Sequence, residues 1–399
     1  MSPGRATGRG LDVQDTKAGR WLDVNSAAEE LSVSTDALRK TAPYTVREVR
    51  EVTPSEWDGW LWATPGGGHV LQSYWWGEFK RRFGWRPLRM VLERDGEVAG
   101  VGQFLALNTV PVPGILMYCS KGPWLPWEDG EAVRAFFEGV VDVVERAGAH
   151  TLKIEPEIPE RRTDMKALLN DIGFQQARYA LNFDTTITAD LSPPEEELLA
   201  RMRKSTRYGV RRAAREGVEV VEPEDFERAW ETFYGWMKGT AERKSGFTIR
   251  RPRAYLHDMM RAMHDAGQGH LFLAVHEGAP LAGVFVFTFG EKYWFMHGAS
   301  STEKRSYTPN HLLQWELMRW AKRRGMRHYD MVGIPKPEDR NENDPYYGVY
   351  KFKIGFGGEV TDFLGCLDLP IKPARANAWH RFEPVYNRLY YKLKGNVFY

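Results

Sequence analysis

The chain is poor in cysteine, with only Cys119 and Cys366 in 399 residues. Two thiols cannot form the several disulfides that hold small secreted domains together, and they are too few for a cysteine-rich metal site. The first 30 residues also lack the apolar core of a secretory signal, because charged residues such as Arg5 and Lys17 interrupt them. These absences predict a soluble protein of a reducing compartment, and we expect it to be cytoplasmic.

Long apolar runs and an excess of charge are missing too. The longest stretch without a charged residue, 98–120, is broken by Gln103, Asn108, Pro111 and Pro113, a pattern typical of two strands around a turn and not of a membrane span. The net charge is +2. Binding of a polyanion would therefore depend on a local basic patch, because the molecule has no strong overall field.

Several catalytic motifs are absent from the sequence. It contains no phosphate-binding loop of the ATPase type, no H-E-x-x-H, no C-x-x-C and no G-x-S-x-G, so nothing supports an ATPase, a zinc enzyme or a serine hydrolase. Coenzyme A would need a glycine-rich loop between a strand and the next helix. The corresponding junction, 304–311, contains no glycine, and coenzyme A is not expected.

The chain does contain an internal repeat. Residues 89–107 form two apolar runs around an Asp-Gly pair, a strong hairpin signal, and 271–289 repeat this plan with the same Ala-Gly-Val sequence. Each hairpin is followed by an amphipathic helix, a glycine (Gly148 or Gly325) and a strand. Corresponding landmarks lie about 180 residues apart, which predicts a duplication.

Hairpin, helix and strand in this order predict an α/β (α+β) fold in which mixed sheets are covered by helices. The plan resembles the acyltransferase fold of the N-acetyltransferase (GNAT) superfamily, present here twice. We predict a partly disordered N-terminal extension (1–43), a first GNAT-like domain (44–187), a second (188–364) and a C-terminal segment (365–399) that packs back on the first domain.

A basic stripe marks the start of the second unit. Residues 195–216 have the pattern of one helix, with Arg203, Arg207, Arg211 and Arg215 spaced four apart along one side. Guanidinium groups in a row repel one another unless an anion lies across them, and phosphate suits their planar geometry. The alternative is a solvated basic face.

Two further segments combine lysines with aromatic residues. In 72–85, Ser73 is a candidate N-cap, Trp76 lies on an apolar face and Lys80 lies in a basic helix end. This end either binds an anion or is simply favoured by the helix dipole.

The second of these segments, 345–358, alternates aromatic residues with lysines. If it is extended, Lys351 and Lys353 point to one face, and Tyr350 and Phe352 to the other. A lysine held between apolar neighbours can stabilise negative charge on a reacting oxygen. The alternative is an edge strand protected by lysines.

Six of these motifs, taken in order, resemble the Fem family of tRNA-dependent aminoacyltransferases, which build the interpeptide bridges of peptidoglycan. The resemblance covers roughly 45–399. The motifs are Gln72-Ser…Trp76…Lys80, Gly122-Pro123, Arg207-Tyr…Arg211…Gly217-Val218, Pro309…Leu313-Gln-Trp-Glu316, Tyr329-Asp330…Gly333-Ile334-Pro335 and Phe352-Lys353-x-Gly-Phe356.

The resemblance implies transfer of an amino acid from aminoacyl-tRNA to a side-chain amine in the stem peptide of a peptidoglycan precursor. The precursor is nucleotide-linked (UDP-MurNAc-pentapeptide) or lipid-linked (lipid II), and a lipid-linked acceptor implies contact with the inner membrane surface. The family uses no metal and no coenzyme. The long heptad insertion of the members with a coiled-coil arm is missing, so the chain resembles the shorter, arm-less type.

The resemblance also assigns roles to residues. Phe352-Lys353 matches the catalytic Phe-Lys pair of the family, and Lys80 matches a lysine that contacts the diphosphate of the precursor. The arginine partner of Lys80 is Arg207 or Arg211, and we favour Arg207.

Three further residues complete the predicted site. Trp76 and Tyr350, the aromatic neighbours of the two lysines, are expected to contact substrate. Asp330, at the end of a strand, either orients or deprotonates the attacking amine or is a structural carboxylate in a turn.

Two other functions fit the residues. One is an N-acyltransferase of the same fold that uses acyl-CoA. The other is a non-catalytic protein that binds RNA or anionic lipid through the arginine stripe and the aromatic, basic tail 379–399.

Overall fold

The computed structural model of the chain describes residues 39–41, 43–178, 182–243 and 249–397. Most of the predicted N-terminal extension, 1–38, lies outside these residues. Arg39–Thr41, which we assigned to that extension, is instead a strand that pairs with Tyr44–Val49.

The first of two sheets is eight-stranded. Its strands are β1 (Arg39–Thr41), β2 (Tyr44–Val49), β3 (Arg86–Arg94), β4 (Glu97–Asn108), β5 (Ile115–Cys119), β6 (Ala149–Ile154), β7 (Gln175–Gln176) and β15 (Leu367–Pro370). Their order is β1-β2-β3-β4-β5-β6-β15-β7. β5 and β6 are parallel, and the other neighbours are antiparallel.

The second sheet is seven-stranded. Its strands are β8 (Thr185–Asp190), β9 (Glu219–Val221), β10 (Gly269–His276), β11 (Ala279–Phe289), β12 (Lys292–Ser300), β13 (His328–Asp330) and β14 (Glu359–Asp362). Their order is β14-β8-β13-β12-β11-β10-β9. Here too an antiparallel hairpin, β10–β11, is followed by one parallel pair, β12–β13, so both sheets are mixed and share one plan.

The two halves exchange strands at corresponding places. In the first sheet, β15 from the C-terminal segment pairs with β6 on the side away from β5. In the second sheet, β8 pairs with β13 on the side away from β12. The predicted boundary at 187 falls inside β8, and all of β8 pairs within the second sheet. The exact domain limits stay a prediction.

Helices cover both sheets. They are α1 (Pro54–Ala63), α2 (Tyr74–Arg81), α3 (Gly130–Arg146), α4 (Thr163–Ile172), α5 (Glu195–Arg201), α6 (Lys204–Arg215), α7 (Phe226–Arg243), α8 (Arg253–Asp265), α9 (Pro309–Arg323), α10 (Tyr347–Lys353) and α11 (Pro373–Lys394). Ser73 caps α2 as expected, with its hydroxyl accepting from the Trp76 amide. No helix in the described part of the chain is long and apolar enough to cross a membrane.

The predicted single helix over 195–216 is wrong in one respect, because it breaks into α5 and α6. Met202 and Arg203 are extended at the break, and the Arg203 amide donates to the Gly355 carbonyl 2.9 Å away. A tertiary contact thus replaces a helical hydrogen bond. Arg203 precedes the first turn of α6, so the regular stripe is confined to Arg207, Arg211 and Arg215.

A continuous apolar core joins the two halves. Trp57, Phe79 and Val91 of the first half pack in one cluster with residues of the second half such as Trp230 and Phe287. Polar contacts also cross this interface: the Ser73 hydroxyl donates to Gln268 Oε1 at 2.8 Å, and Gln268 Nε2 donates to Asp58 Oδ2 at 2.8 Å. Side chains from both halves are therefore held in fixed positions at the junction.

Candidate active site

Lys353 is the last residue of α10 and is buried, with 7% of its surface exposed. The segment is not extended: Tyr347–Lys353 is helical, so the division of its side chains between two faces of a strand does not apply. Lys353 Nζ donates to the carbonyl oxygens of Val332 at 3.0 Å and Gly333 at 2.8 Å. Burial lowers the pKa of Lys353 to about 8, although the charge of Asp330 acts in the opposite direction.

The turn that receives Lys353 is built by Asp330. The Val332 amide donates to Asp330 Oδ1 at 2.6 Å, and Val332 has φ of 53°, an unfavourable backbone conformation for a β-branched residue. The carboxylate thus stabilises a strained turn whose carbonyls face Lys353. A side chain at Gly333 would overlap the ring of Phe183, which would have to move.

Asp330 is also close to a second carboxylate. Burial and the negative charge of Glu157 together raise the pKa of Asp330 to about 6, although hydrogen bonds from Thr186 Oγ1 and the Val332 amide oppose the shift. The group is therefore ionised at neutral pH but only by a small margin. Such perturbed carboxylates are frequent at functional sites.

The first half adds charges that sequence reasoning missed. Glu157 Oε1 lies 3.7 Å from Lys121 Nζ and 3.9 Å from His69 Nε2. Burial and the charges of Lys121 and Lys292 lower the pKa of His69 well below its usual value, so this ring is neutral. Its Nδ1 accepts from the Leu71 amide at 3.0 Å.

Lys292, at the start of β12, links the halves. Its Nζ donates to the Gly68 carbonyl at 3.0 Å and lies 4.4 Å from the centre of the Trp124 ring. Burial lowers its pKa, whereas the charges of Glu157 and Asp330 raise it. The junction cluster, which we define as His69, Lys121, Glu157, Lys292, Asp330 and Lys353, therefore combines side chains of both halves.

One sequence signal could have led to the missing members. Lys121 and Glu157 follow β5 and β6, the parallel pair of the first sheet, and Asp330 ends a strand of the corresponding pair in the second. The duplication therefore marks the ends of both pairs as equivalent positions. That these ends face each other is decided by packing between the halves.

The predicted anion ligand Lys80 lies in a second buried cluster. Its Nζ is 4.9 Å from the centre of the Trp85 ring and 5.9 Å from that of Tyr255, and the side chain is 4% exposed. Burial and the charge of Arg251 lower the pKa of Lys80 well below its usual value. Among the described residues, no carboxylate forms an ion pair with Lys80, an arrangement that suits an anionic ligand.

The arginine beside Lys80 is Arg251, which sequence reasoning did not single out. Its guanidinium lies 4.5 Å from the centre of the Tyr255 ring, on which Lys80 also packs, and it donates to Asn396 Oδ1 at 3.2 Å and the Val397 carbonyl at 2.9 Å. Arg251 comes just before α8, far along the chain from Lys80, and no motif connects the two in the sequence.

Arg207 and Arg211, the expected partners of Lys80, lie on α6. The Arg207 guanidinium donates to the carbonyls of Ala200, at 3.0 Å, and of Met202, and so it caps the end of α5. Arg211 is exposed, as are Arg203 and Arg215. These arginines form an open basic surface, and Arg203 adjoins Gly355 in the turn that follows Lys353.

The remaining predicted residues divide between packing and surface. Trp76 is 9% exposed and packs on Phe79 and Phe287 in the core between the halves, a position that favours a structural role. Phe352 contacts His311 edge-on, with ring centres 5.2 Å apart. Tyr350 is partly exposed on α10, with Arg340 5.8 Å from its ring.

Comparisons with known proteins first define a class. A model described as "Acetyltransferase (GNAT) domain" matches residues 200–351. A crystal structure of FemX superposes with a TM-score of 0.76 at 24% identity, covering 84% of this chain and all of that one. A conserved Bacteroides thetaiotaomicron protein of unknown function superposes at 0.51, with 12% identity and coverage of 79% and 97%. The expected α/β fold of two GNAT-like units is confirmed.

The family follows from a second model, described as "FemAB family", which matches residues 52–275. The match spans more than half of the chain, and the protein therefore belongs to the FemAB family. Similar proteins include the lipid II:glycine glycyltransferases of Staphylococcus aureus, among them that of strain MRSA252, which are 26% identical over 80% of this chain and 92% of their own. The predicted family membership is confirmed.

Proposed function

We propose that the protein transfers an aminoacyl group from aminoacyl-tRNA to a side-chain amine in the stem peptide of a peptidoglycan precursor. The observation that carries the proposal is Lys353, a buried lysine of lowered pKa beside Asp330, a half-buried aspartate of raised pKa, at the junction of two GNAT-like halves in a FemAB chain. Relatives named lipid II:glycine glycyltransferase support an aminoacyl group as the cargo.

Lys353 stabilises the developing oxyanion. The precursor amine attacks the ester carbonyl, a C–N bond forms, and negative charge appears on the carbonyl oxygen before the bond to the ribose oxygen breaks. A pKa of about 8 leaves the ammonium form dominant at neutral pH. A preorganised charge of this kind accelerates such reactions by about 10²–10³-fold.

Asp330 accepts a proton from the attacking amine. Its pKa of about 6 keeps it ionised near neutrality while making it a stronger base than an ordinary aspartate. The proton taken from the amine leaves with the ribose hydroxyl, so the reaction consumes no cofactor. No covalent intermediate is required, because the aminoacyl ester is already activated.

The diphosphate of the precursor binds at Lys80 and Arg251. Buried Lys80 and half-buried Arg251 pack on the same Tyr255 ring, and a bound diphosphate would stabilise the charged form of Lys80. This proposal replaces Arg207 and Arg211 in the role that we expected for them. The exposed arginines of α6 are then free to contact tRNA phosphates near Lys353.

The acceptor is lipid-linked in this proposal, as the names of the relatives suggest for those proteins. The protein would then work at the inner face of the membrane as a peripheral protein. Phe352 orients the ester beside Lys353, and Tyr350 contacts the same substrate from the exposed side of α10.

A mass-spectrometric assay tests the function. The protein is incubated with pooled aminoacylated tRNAs and with nucleotide-linked and lipid-linked precursors, and we expect one precursor to gain the mass of one amino acid. Lys353→Met should lower the rate about 10²–10³-fold. Lys351→Met is the matched control, because Lys351 is exposed on the same helix, and it should transfer normally.

Two results would contradict the proposal. The first is an unchanged rate for Lys353→Met. The second is acyl transfer that requires coenzyme A and proceeds without charged tRNA, which would favour an N-acyltransferase of the same fold.

A further inference from the structure

The exposed face of the C-terminal helix α11 carries an apolar stripe. Val385, Leu389 and Leu393 are spaced four apart and therefore share one side of the helix. Their exposed fractions are 48%, 46% and 80%. A contiguous row of exposed aliphatic side chains is typical of a surface that contacts a membrane or another molecule.

Basic residues flank this stripe without any exposed acid. Arg381, Arg388 and Lys392 are exposed on the same side of α11. The only acidic residue of the helix, Glu383, is fully buried and lies 3.8 Å from Lys153 Nζ. The outward face of α11 is therefore apolar and positively charged, the combination found in helices that lie in a membrane interface.

The opposite face fixes α11 on the first half. Trp379 is fully buried in a cluster with Trp85, Leu116 and Tyr118. His380 Nε2 lies 3.0 Å from Asp368 Oδ2 of β15. Because these contacts hold the helix in one rotation about its axis, the apolar stripe always points away from the protein.

The end of α11 also leads to the proposed diphosphate site. Asn396 and Val397, just beyond the helix, accept hydrogen bonds from Arg251, which shares the Tyr255 ring with Lys80. A lipid-linked precursor has its diphosphate at the membrane surface. A helix lying on that surface would therefore bring Lys80 and Arg251 to the depth at which the diphosphate is found.

We propose that the outward face of α11, defined by Arg381, Val385, Arg388, Leu389, Lys392 and Leu393, docks on an anionic membrane surface and orients the diphosphate site towards it. The aliphatic side chains enter the region between headgroups and acyl chains, and the basic side chains contact lipid phosphates. This inference rests on the proposed function, because a lipid-linked acceptor is what requires the enzyme to work at a bilayer. RNA is a less suitable partner, since an aliphatic stripe offers no surface on which bases stack.

Vesicle binding tests the docking without any reaction. The full chain is sedimented with vesicles of phosphatidylglycerol and phosphatidylcholine, or of phosphatidylcholine alone, and we expect binding to the anionic vesicles only. Leu389→Glu should weaken binding about tenfold or more. Arg388→Gln and Lys392→Gln each remove one positive charge. Each should weaken vesicle binding about fivefold and reduce the salt dependence of that binding. Val221→Glu, a similar change at a valine that is 37% exposed on β9 of the second sheet, should have no effect.

Activity separates docking from catalysis. Leu389→Glu should slow transfer to lipid II in anionic vesicles and leave transfer to lipid II dispersed in detergent unchanged. If the wild-type protein ignores anionic vesicles, or if Leu389→Glu binds them as well as wild type, the docking is refuted. It is also refuted if light scattering finds a dimer that Leu389→Glu dissociates, because a second copy then covers the face. If vesicle binding behaves as expected but no precursor is modified, the docking stands and the proposed function falls.

Discussion

Two buried lysines, one in each half, have opposite electrostatics. Lys153 is fully buried and Lys353 is 7% exposed. Burial alone would lower both pKa values, yet that of Lys153 is raised by the negative charges of Asp368 and Glu383, whereas that of Lys353 falls to about 8. The difference lies in the partners. Lys153 Nζ is 2.9 Å from Asp368 Oδ1, whereas Lys353 Nζ, among the described residues, donates to two carbonyl oxygens and lies 5.5 Å from the centre of the Phe295 ring.

The comparison separates Lys153, whose charge is neutralised within the fold, from Lys353, to which we assign a role in the reaction. In the first half, β15 and α11 supply the carboxylates that neutralise Lys153, and the cluster is closed. In the second half, Lys353 forms no ion pair among the described residues and is held by the carbonyls of the turn after Asp330, so its charge can act on a substrate. The duplication therefore produced two similar sheets of which one carries the proposed chemistry.

The largest expected effect comes from disrupting the buried cluster of Lys153, Asp368 and Glu383. Lys153→Met leaves Asp368 buried without its cation and should lower the free energy of unfolding by about 3–5 kcal/mol. Lys353→Met should lower it less, because removing a charge that burial disfavours offsets the loss of the two hydrogen bonds that Lys353 donates. Urea unfolding followed by circular dichroism measures both. Lys166→Met, at an exposed site on α4, is the control, and equal losses for Lys153 and Lys353 would contradict the comparison.

The next effect concerns the cluster of Lys80 and Arg251. Lys80→Met and Arg251→Met each remove a charged ligand of the precursor diphosphate and should raise KM for the precursor about 10–100-fold with little change in kcat. Steady-state transfer kinetics measure this change. Arg253→Met is the matched control, because Arg253 pairs with Glu231 on the surface. A larger effect from Arg207→Met than from Arg251→Met would return the role to the arginine first expected.

The two titrating groups of the junction cluster, Asp330 and Lys353, should give the transfer reaction a characteristic pH profile. Activity should rise as Asp330 ionises near pH 6 and fall as Lys353 loses its proton near pH 8, which gives a bell-shaped curve. Asp330→Asn keeps an oxygen that accepts from the Val332 amide, so the turn should persist while the acidic limb disappears. An acidic limb that survives this substitution would show that another group is the base.

The smallest effect should come from Glu157. Its negative charge raises the pKa of Asp330, so Glu157→Gln should move the acidic limb down by about half a pH unit. Glu93→Gln is the control, since Glu93 pairs with Arg47 elsewhere in the first half. A limb that moves upward, or does not move, would mean that Glu157 does not act on Asp330.

Local patterns were sufficient for much of the fold. The Ser73 cap, the hairpin at 95–96 and the repeated order of hairpin, helix and strand depend on neighbours in the chain, and all appear in the structure. Local patterns failed where a distant contact overrides them. The helix break at Met202 depends on Gly355, and the alternation of Lys351 and Lys353 was compatible with a strand until tertiary packing selected a helix.

The amino-acid sequence alone determined the duplicated α/β plan, the family and the two lysines, Lys80 and Lys353, around which the proposal is built. Tertiary structure alone decided which charges surround them. Arg251 reaches Lys80, and Glu157 reaches Asp330, only because the core between the halves brings together segments that lie far apart in the chain. Propensity and periodicity act over a few residues of the chain. A pKa depends on burial and on all nearby charges, whatever their position in the sequence.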